Sequence, residues 1–314
     1  MTGPGPGPGP GLGPAAMTPS TALPPDAAVR SRQLRTSQGF WQRARRHRSF
    51  VAGGLLTAVM IAAALLSLLW TPWSAYEIDM AHKLNPPSPQ HWLGTDGLGR
   101  DIVSLLLVGA RSSIAVGVIA VGIGLSFGTL FGLIAAARRG WVEEVIMRLS
   151  DFTFAFPALL SAIMLAAVAG PGMLTSITAI GIFQIPLFVR VTRGSANAIW
   201  AREFALAARA SGKGKVRITL EHVLPNILSI LIVQATIQFA LAILAEAALS
   251  YLGLGTQPPQ PSWGRMLNDA QSLLFQSPSL AVYPGLAIAA AVLGLNLLGD
   301  GLRDLFDPRL SRER

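Results

Sequence analysis

Six stretches of the chain, near residues 51–71, 109–137, 152–170, 173–192, 225–249 and 281–299, are almost unbroken runs of apolar side chains. Each is close to the ~20 residues that a helix needs to cross roughly 30 Å of hydrocarbon. The pattern predicts an all-α integral membrane protein with six transmembrane helices. Only "GPG" at 170–172 separates the third run from the fourth, which is a tight turn. Two other connections are longer. Residues 72–98 carry Pro86, Pro87 and Pro89, which bar a long helix. Residues 252–280 hold "QPPQPSWGRML", whose prolines and Trp263 predict a packed interfacial loop with an aromatic anchor.

One interval breaks the rhythm. At 203–226 the chain reads "EFALAARASGKGKVRITLEHVLPN", basic and alternating between polar and apolar. Phe204, Ala207 and Ala208 recur at i, i+3, i+4, and Val216, Leu220 and Val223 at i, i+4, i+7, so each half reads as a short amphipathic helix. Ser211 and Gly212 separate the halves, Lys213, Lys215, Arg217 and Glu221 occupy the other face of the second, and Pro225 fits the first turn of the next span. Such helices suit two tasks: lying in the lipid headgroup layer, or inserting into a groove on a soluble partner.

Composition excludes a water-soluble domain, because hydrophobic residues make up 51% of the 314 positions and charged ones 13%. The net charge of +9 raises the question of nucleic acid, and the placement of the charges answers against it. Of the 25 basic residues, 21 lie before the first span, between the second and third, between the fourth and fifth, or after the sixth. Only Lys83, Arg100, Arg111 and Arg265 fall in the alternate segments. The positive-inside rule then puts both termini, and the 203–226 interval, in the cytoplasm. The chain contains no cysteine, which removes disulfides, thiolate metal sites and cysteine nucleophiles.

Candidate chemistry is sparse. His47, His82, His91 and His222 lie in separate segments, so a metal site is not expected. "HWLGTDGLGRD" at 91–101 is glycine-rich, yet no strand precedes it and no Lys-Ser/Thr follows, so it reads as a turn entering an interfacial helix. There Asp96 and Asp101 can cap helix N-termini and pair with Arg100. "SGKGK" within 203–226 likewise lacks the Gly-x4-Gly-Lys-Ser/Thr pattern of a phosphate loop. Asp151 and Glu246 are the acids nearest the spans, and Glu246 falls inside the fifth. An intramembrane carboxylate either marks a pathway or faces inward and bonds to a neighbouring helix. Gln184, Gln234, Gln238 and Asn296 can line a polar cavity or join helices by hydrogen bonds worth ~1 kcal/mol each. Gly124, Gly128 and Gly132 form a small-residue stripe suited to close helix packing.

The interval at 203–226 is similar to the cytoplasmic coupling loop of ABC importer permeases, whose pattern is Glu-Ala-Ala, three residues, Gly, nine residues, Ile, one residue, Leu-Pro. Ala207, Ala208, Gly212, Leu224 and Pro225 match at that spacing, Leu206 replaces the Glu with Glu203 one turn earlier, and His222 replaces the Ile. "EFALAARASG…HVLPN" resembles most the C-type subunits of the dipeptide/oligopeptide/nickel permease family, as do "HWLGTDGLGRDIVSLLLVGARSSIAVG" at 91–117, "PSWGRML", and "YPGLAIAAAVLGLNLLGDGLRDLFDPRL" ending at 310. In the first of these Leu105 stands where the family commonly has Arg.

The resemblance implies a type I ABC importer permease in the cytoplasmic (inner) membrane, a half-channel without enzymatic activity or cofactor of its own. Its implied partners are a second, B-type permease subunit, two ATPase subunits that use ATP and Mg, and an extracytoplasmic substrate-binding protein. Di- or oligopeptides and related small solutes, nickel chelates included, are the implied cargo. The organisation then reads as a disordered Gly/Pro-rich cytoplasmic tail at 1–29, whose period of two excludes collagen. A basic segment with Phe40 and Trp41, the first span and an outer loop follow at 30–104, and a five-helix core at 105–314 carries the coupling loop at 200–223. Two other classes stand against this reading. A secondary transporter or channel calls for inverted repeats or broken helices with midplane charges, and a membrane enzyme calls for a catalytic cluster at the end of a span.

Overall fold

The computed structural model describes residues 43–306, together with Gly3 and Gly5. The rest of the 1–29 tail, Phe40 and Trp41, and residues 307–314 lie outside the described residues. The described residues are mainly helical and hold no β-strand, only an isolated bridge between Thr95 and Asp101. In order it forms α1 (Arg48–Leu69), α2 (Ile102–Ala137), α3 (Trp141–Ala155), α4 (Ala158–Ala169), α5 (Met173–Trp200), α6 (Glu203–Ala210), α7 (Lys215–Ile218), α8 (Leu224–Tyr251), α9 (Trp263–Ala270) and α10 (Ser279–Phe306). A π-turn at Thr219–Val223 joins α7 to α8 without a break, so Lys215–Tyr251 is one 37-residue helix.

Five helices are long and apolar enough to cross the bilayer, and the predicted third span departs from the expectation. Instead of one straight helix over 152–170, α3 and α4 meet at an 82° bend. The cause is local. Pro157 disfavours the helical region for the residue before it, and Phe156 is extended at φ −98° and ψ 132°. The 12 residues of α4 reach about 18 Å, short of the hydrocarbon thickness, so the crossing is completed only as a bent pair.

The second span also differs from expectation. It begins at Ile102 rather than near 109, so the glycine-rich turn opens directly into the spanning helix and no separate interfacial helix intervenes. Asp101 caps it, accepting from the backbone N–H of Ser104 at 2.8 Å. Asp96 caps no helix. It accepts from the backbone N–H groups of Leu98 and Arg100, both at 2.8 Å, and pairs with the Arg100 guanidinium at 2.6 Å. The Ser104 hydroxyl donates to Asp101 at 2.8 Å and accepts from the Trp73 backbone N–H at 3.0 Å, tying the outer segment to the head of α2. Leu105 is buried against Ala75, Val108 and Met266, an apolar setting.

The core is organised by backbones that nearly touch. A Cβ added to Gly124, Gly128 or Gly132 of α2 would lie 2.5, 2.4 or 2.6 Å from the Cβ of Gln184, Phe188 or Thr192 of α5. The glycine stripe is thus a packing seam, matching a row of residues spaced by four on its neighbour. Gly53 on α1 and Gly294 on α10 make a second close crossing, where a Cβ on Gly53 would fall 2.7 Å from the Gly294 carbonyl.

Gly128→Val is expected to cost about 3 kcal/mol, because the seam has no room for a side chain. The melting temperature of the detergent-purified protein measures it. Gly122→Ala, two residues away from the stripe and with open space at its Cβ, serves as the neutral control; equal melting for both variants would remove the seam from the account.

Candidate functional site

The coupling loop is assembled at the end of the bundle from which α5 emerges. Helix α5 runs on to Trp200, the chain turns at Arg202, and α6 begins with Glu203 in its first turn, where a carboxylate favours the helix dipole. Helix α6 stops at Ser211 by a double hydrogen bond: Gly212 N–H donates to the Arg209 carbonyl at 3.0 Å and Lys213 N–H to the Ala208 carbonyl at 3.2 Å. This closure needs a left-handed residue, and Gly212 has φ +80°. On the far side, Glu221 accepts from Lys213 at 2.7 Å and from Arg217 at 2.6 Å, closing the loop into a compact turn.

Continuity with the membrane comes next. Pro225 has no N–H to give to the helix ladder, and the ladder widens into the π-turn just before it. The Asn226 side-chain amide donates to the His222 carbonyl at 2.6 Å, an added bond across the same turn. Lever and span are therefore one rod.

The bundle buries Val223 and part of Ala208 from the apolar face read from periodicity and leaves the rest of that face exposed. Ala205, 1% exposed, anchors α6, with Ala208 half-buried beside it, while Phe204, Leu206 and Ala207 are exposed. In the second half Ile218, Thr219 and Val223 turn inward, and Val216 and Leu220 stand out at 73% and 57% exposure. The second half is also not a free amphipathic helix but the first turns of the 37-residue rod. Periodicity located an apolar face correctly in kind, but two apolar faces exist, one toward the bundle and one away from it. Of the coupling residues, Glu203, Ala207, Gly212 and Pro225 are exposed, Ala208 and Leu224 half-buried.

The intramembrane polar residues do not gather at one point. Gln184 of α5 and Gln238 of α8, both buried, share a cavity of about 260 Å3 with Ala162, Phe183 and Leu249. The Gln184 Oε1 is buried without a hydrogen-bond partner among the described residues, an acceptor that a polar solute or water can use. Gln234 is half-buried outside that lining, and Asn296 is exposed on α10. Glu246, 0% exposed, is also outside it. Its carboxylate accepts from Ser250 at 2.7 Å, Ser113 of α2 at 3.0 Å and Thr256 of the outer loop at 3.3 Å. These three hydroxyls were missed in the sequence; "EAALSYLGLGT" holds two of them, but nothing local shows that Ser113 lies opposite. Asp151, the other acid near a span, pairs with Arg190 at 2.6 Å across α3 and α5, and Glu143 pairs with Arg193 beside it.

The comparisons with known proteins decide the family. The family described as "Binding-protein-dependent transport system inner membrane component" matches residues 128–312, and that described as "N-terminal TM domain of oligopeptide transport permease C" matches residues 36–87. The glutathione transport system permease protein GsiD of Pectobacterium atrosepticum is 42% identical over 284 residues, covering 90% of this chain and 94% of the relative. GsiD of Escherichia coli is 44% identical over the same coverage. The chain belongs to the ABC importer permeases, as a C-type member of the dipeptide/oligopeptide/nickel family.

As a permease of an ATP-driven ABC importer, it is a multi-pass inner-membrane protein and a transport component rather than an enzyme. A chain of the MetNI methionine ABC transporter, in inward-facing conformations, superposes with a TM-score of 0.54 at 16% identity, covering 65% of this permease and 97% of that chain. That likeness carries the type I permease fold.

The geometry at Glu246 separates two roles. Glu246→Leu strips an acceptor from three buried hydroxyls and is expected to destabilise the permease by about 2 kcal/mol, read as a lower melting temperature. Glu246→Gln keeps one acceptor oxygen and is expected to melt between the two, with uptake per folded molecule near wild type. Normal melting with slow uptake in Glu246→Gln would instead place the carboxylate on the path.

Proposed function

We propose that this permease is half of the translocation unit of an importer for small peptides and peptide-like solutes, driven by ATP hydrolysis in two separate ATPase subunits. A B-type permease completes the unit and an extracytoplasmic binding protein delivers the cargo. The peptide assignment is supported by the relatives, whose names specify glutathione, a tripeptide-like solute, and by the oligopeptide permease family that matches the first span.

The observation that carries the reading is the rod from Lys215 to Tyr251 with α6 folded back on its end. Its outward face presents Phe204, Leu206, Val216 and Leu220 beside Glu203 and Arg209, an apolar patch ringed by charge. A patch of this kind suits a groove on a soluble ATPase. Movement of α6 passes through the turn at Gly212 to α7 and from there to α8 along continuous helix, and the spans tilt between inward- and outward-open arrangements as a rigid-body change. The placement of 21 of the 25 basic residues supports cytoplasmic termini and a cytoplasmic loop. Gln184 and Gln238, with the cavity they share, are the proposed wall of the path.

The test uses backbone conformation rather than charge. Gly212→Val forces a β-branched residue into the left-handed region, at a cost of about 1–2 kcal/mol or a reshaped turn. It is expected to insert normally, lose most ATP-dependent uptake and co-purify with less ATPase. Gly212→Asn, which tolerates that conformation, is expected to retain most uptake. Full uptake in Gly212→Val would end the coupling assignment.

A further inference from the structure

Beside α6 lies a pocket of about 410 Å3 that shares Leu206 and Arg209 with the face proposed to meet the ATPase and otherwise runs toward the ends of α2 and α5. Its walls come from three elements: Arg139 after α2, Trp200 closing α5, and Ala205, Leu206, Arg209 and Lys215 of the loop. Three cations line it and no carboxylate does. The contrast with neighbouring cations is informative. Arg148, Arg190, Arg193, Lys213 and Arg217 each have a carboxylate partner. Arg139, Arg209 and Lys215 have no acidic partner among the described residues. Trp200, in the same wall, holds its indole N–H buried with no acceptor among the described residues. Arg138 and Arg202 nearby also lack an acidic partner among the described residues, but only Arg139, Arg209 and Lys215 line one hollow, which leaves room there for a mobile anion.

We propose that this pocket binds a phosphate group, supplied by the headgroup of an acidic phospholipid. The position favours that source over a soluble one. The pocket lies where the spanning helices α2 and α5 end, a position we assign to the headgroup layer, and its remaining walls are the apolar Ala136, Ala137 and Ala201. Basic pockets between spans on the cytoplasmic side recognise such headgroups, and tryptophan is at home at this depth. Helix C-termini alone attract cations, but α2 and α5 end at two separate points, whereas the cations come from three segments. A phosphate bridging Arg139 to Arg209 and Lys215 links the end of α2 to the loop. Binding needs only the described fold and stands whether or not α6 engages an ATPase.

Native mass spectrometry of the purified transporter complex tests it, with phosphatidylglycerol, phosphatidylcholine and inorganic phosphate as separate probes. The wild-type complex is expected to retain phosphatidylglycerol over phosphatidylcholine by at least about tenfold, given three converging cations. R139Q/R209Q/K215Q is expected to lose that preference. R138Q/R148Q/R303Q, which removes equal charge from exposed positions outside the pocket, is expected to keep it. Equal loss in both triple variants means diffuse attraction and overturns the proposal. Retention in R139Q/R209Q/K215Q, or a preference that appears only when the ATPase subunits are absent, overturns it too. Binding of inorganic phosphate at millimolar concentration with no preference for phosphatidylglycerol would reassign the site to free phosphate and end the lipid assignment.

Discussion

The near-contact of α2 and α5 along Gly124, Gly128 and Gly132 sets the position of nearly everything that matters for transport. In lipid there is little hydrophobic drive between helices, so association rests on van der Waals contact, and contact needs backbones that can approach. The seam puts Gln184 at its first contact and so defines one wall of the intramembrane cavity. At its other end the same two helices exit together, and from that exit α6 departs. A shift in the seam would move the cavity and the loop at once.

Much of this was legible before any coordinates. Apolar runs long enough to span identified the membrane class, and a stripe of glycines spaced by four identified the seam, because both signals depend only on spacing along one helix. Pro157 was equally visible, but whether a proline inside an apolar run kinks a helix or breaks it by 82° depends on what surrounds Phe156. Length along the run could not say. The start of α2 was misplaced for a related reason: Ile102 to Val108 sits between polar residues, and Asp101 declares itself as a cap only when Ser104 is seen to donate to it.

The coupling loop shows a deeper limit. Amphipathic periodicity assumes one wet face and one dry face, and at a site built to meet a partner that assumption fails. Phe204 and Val216 mark the apolar face that periodicity reads, and they stay exposed, while Ala205 and Ile218, outside that reading, are what the bundle buries. Small or ordinary residues carry the anchoring, while the larger apolar ones point away. The backbone roles of Gly212 and Pro225 were nevertheless legible, since backbone requirements are written in residue identity itself: one supplies φ +80°, the other withholds an N–H.

Those two residues also divide the labour of a lever. The α6 end is closed by hydrogen bonds around a single left-handed glycine, a joint that transmits direction but contains few contacts. The α8 end is a continuous rod of 37 residues, about 55 Å by helical rise, in which the disturbance due to Pro225 is absorbed by a π-turn. At the outer end of the rod, Glu246 binds hydroxyls from α2 and from the outer loop, so α8 is fastened there as well. A rod held at its far end and pushed at its near end pivots instead of sliding. On the proposed mechanism displacement grows with distance from Glu246, so Lys215, about 46 Å away by helical rise, moves most and Gln238, about 12 Å away, moves roughly a quarter as far, which turns a large motion of the loop into a small change at the cavity.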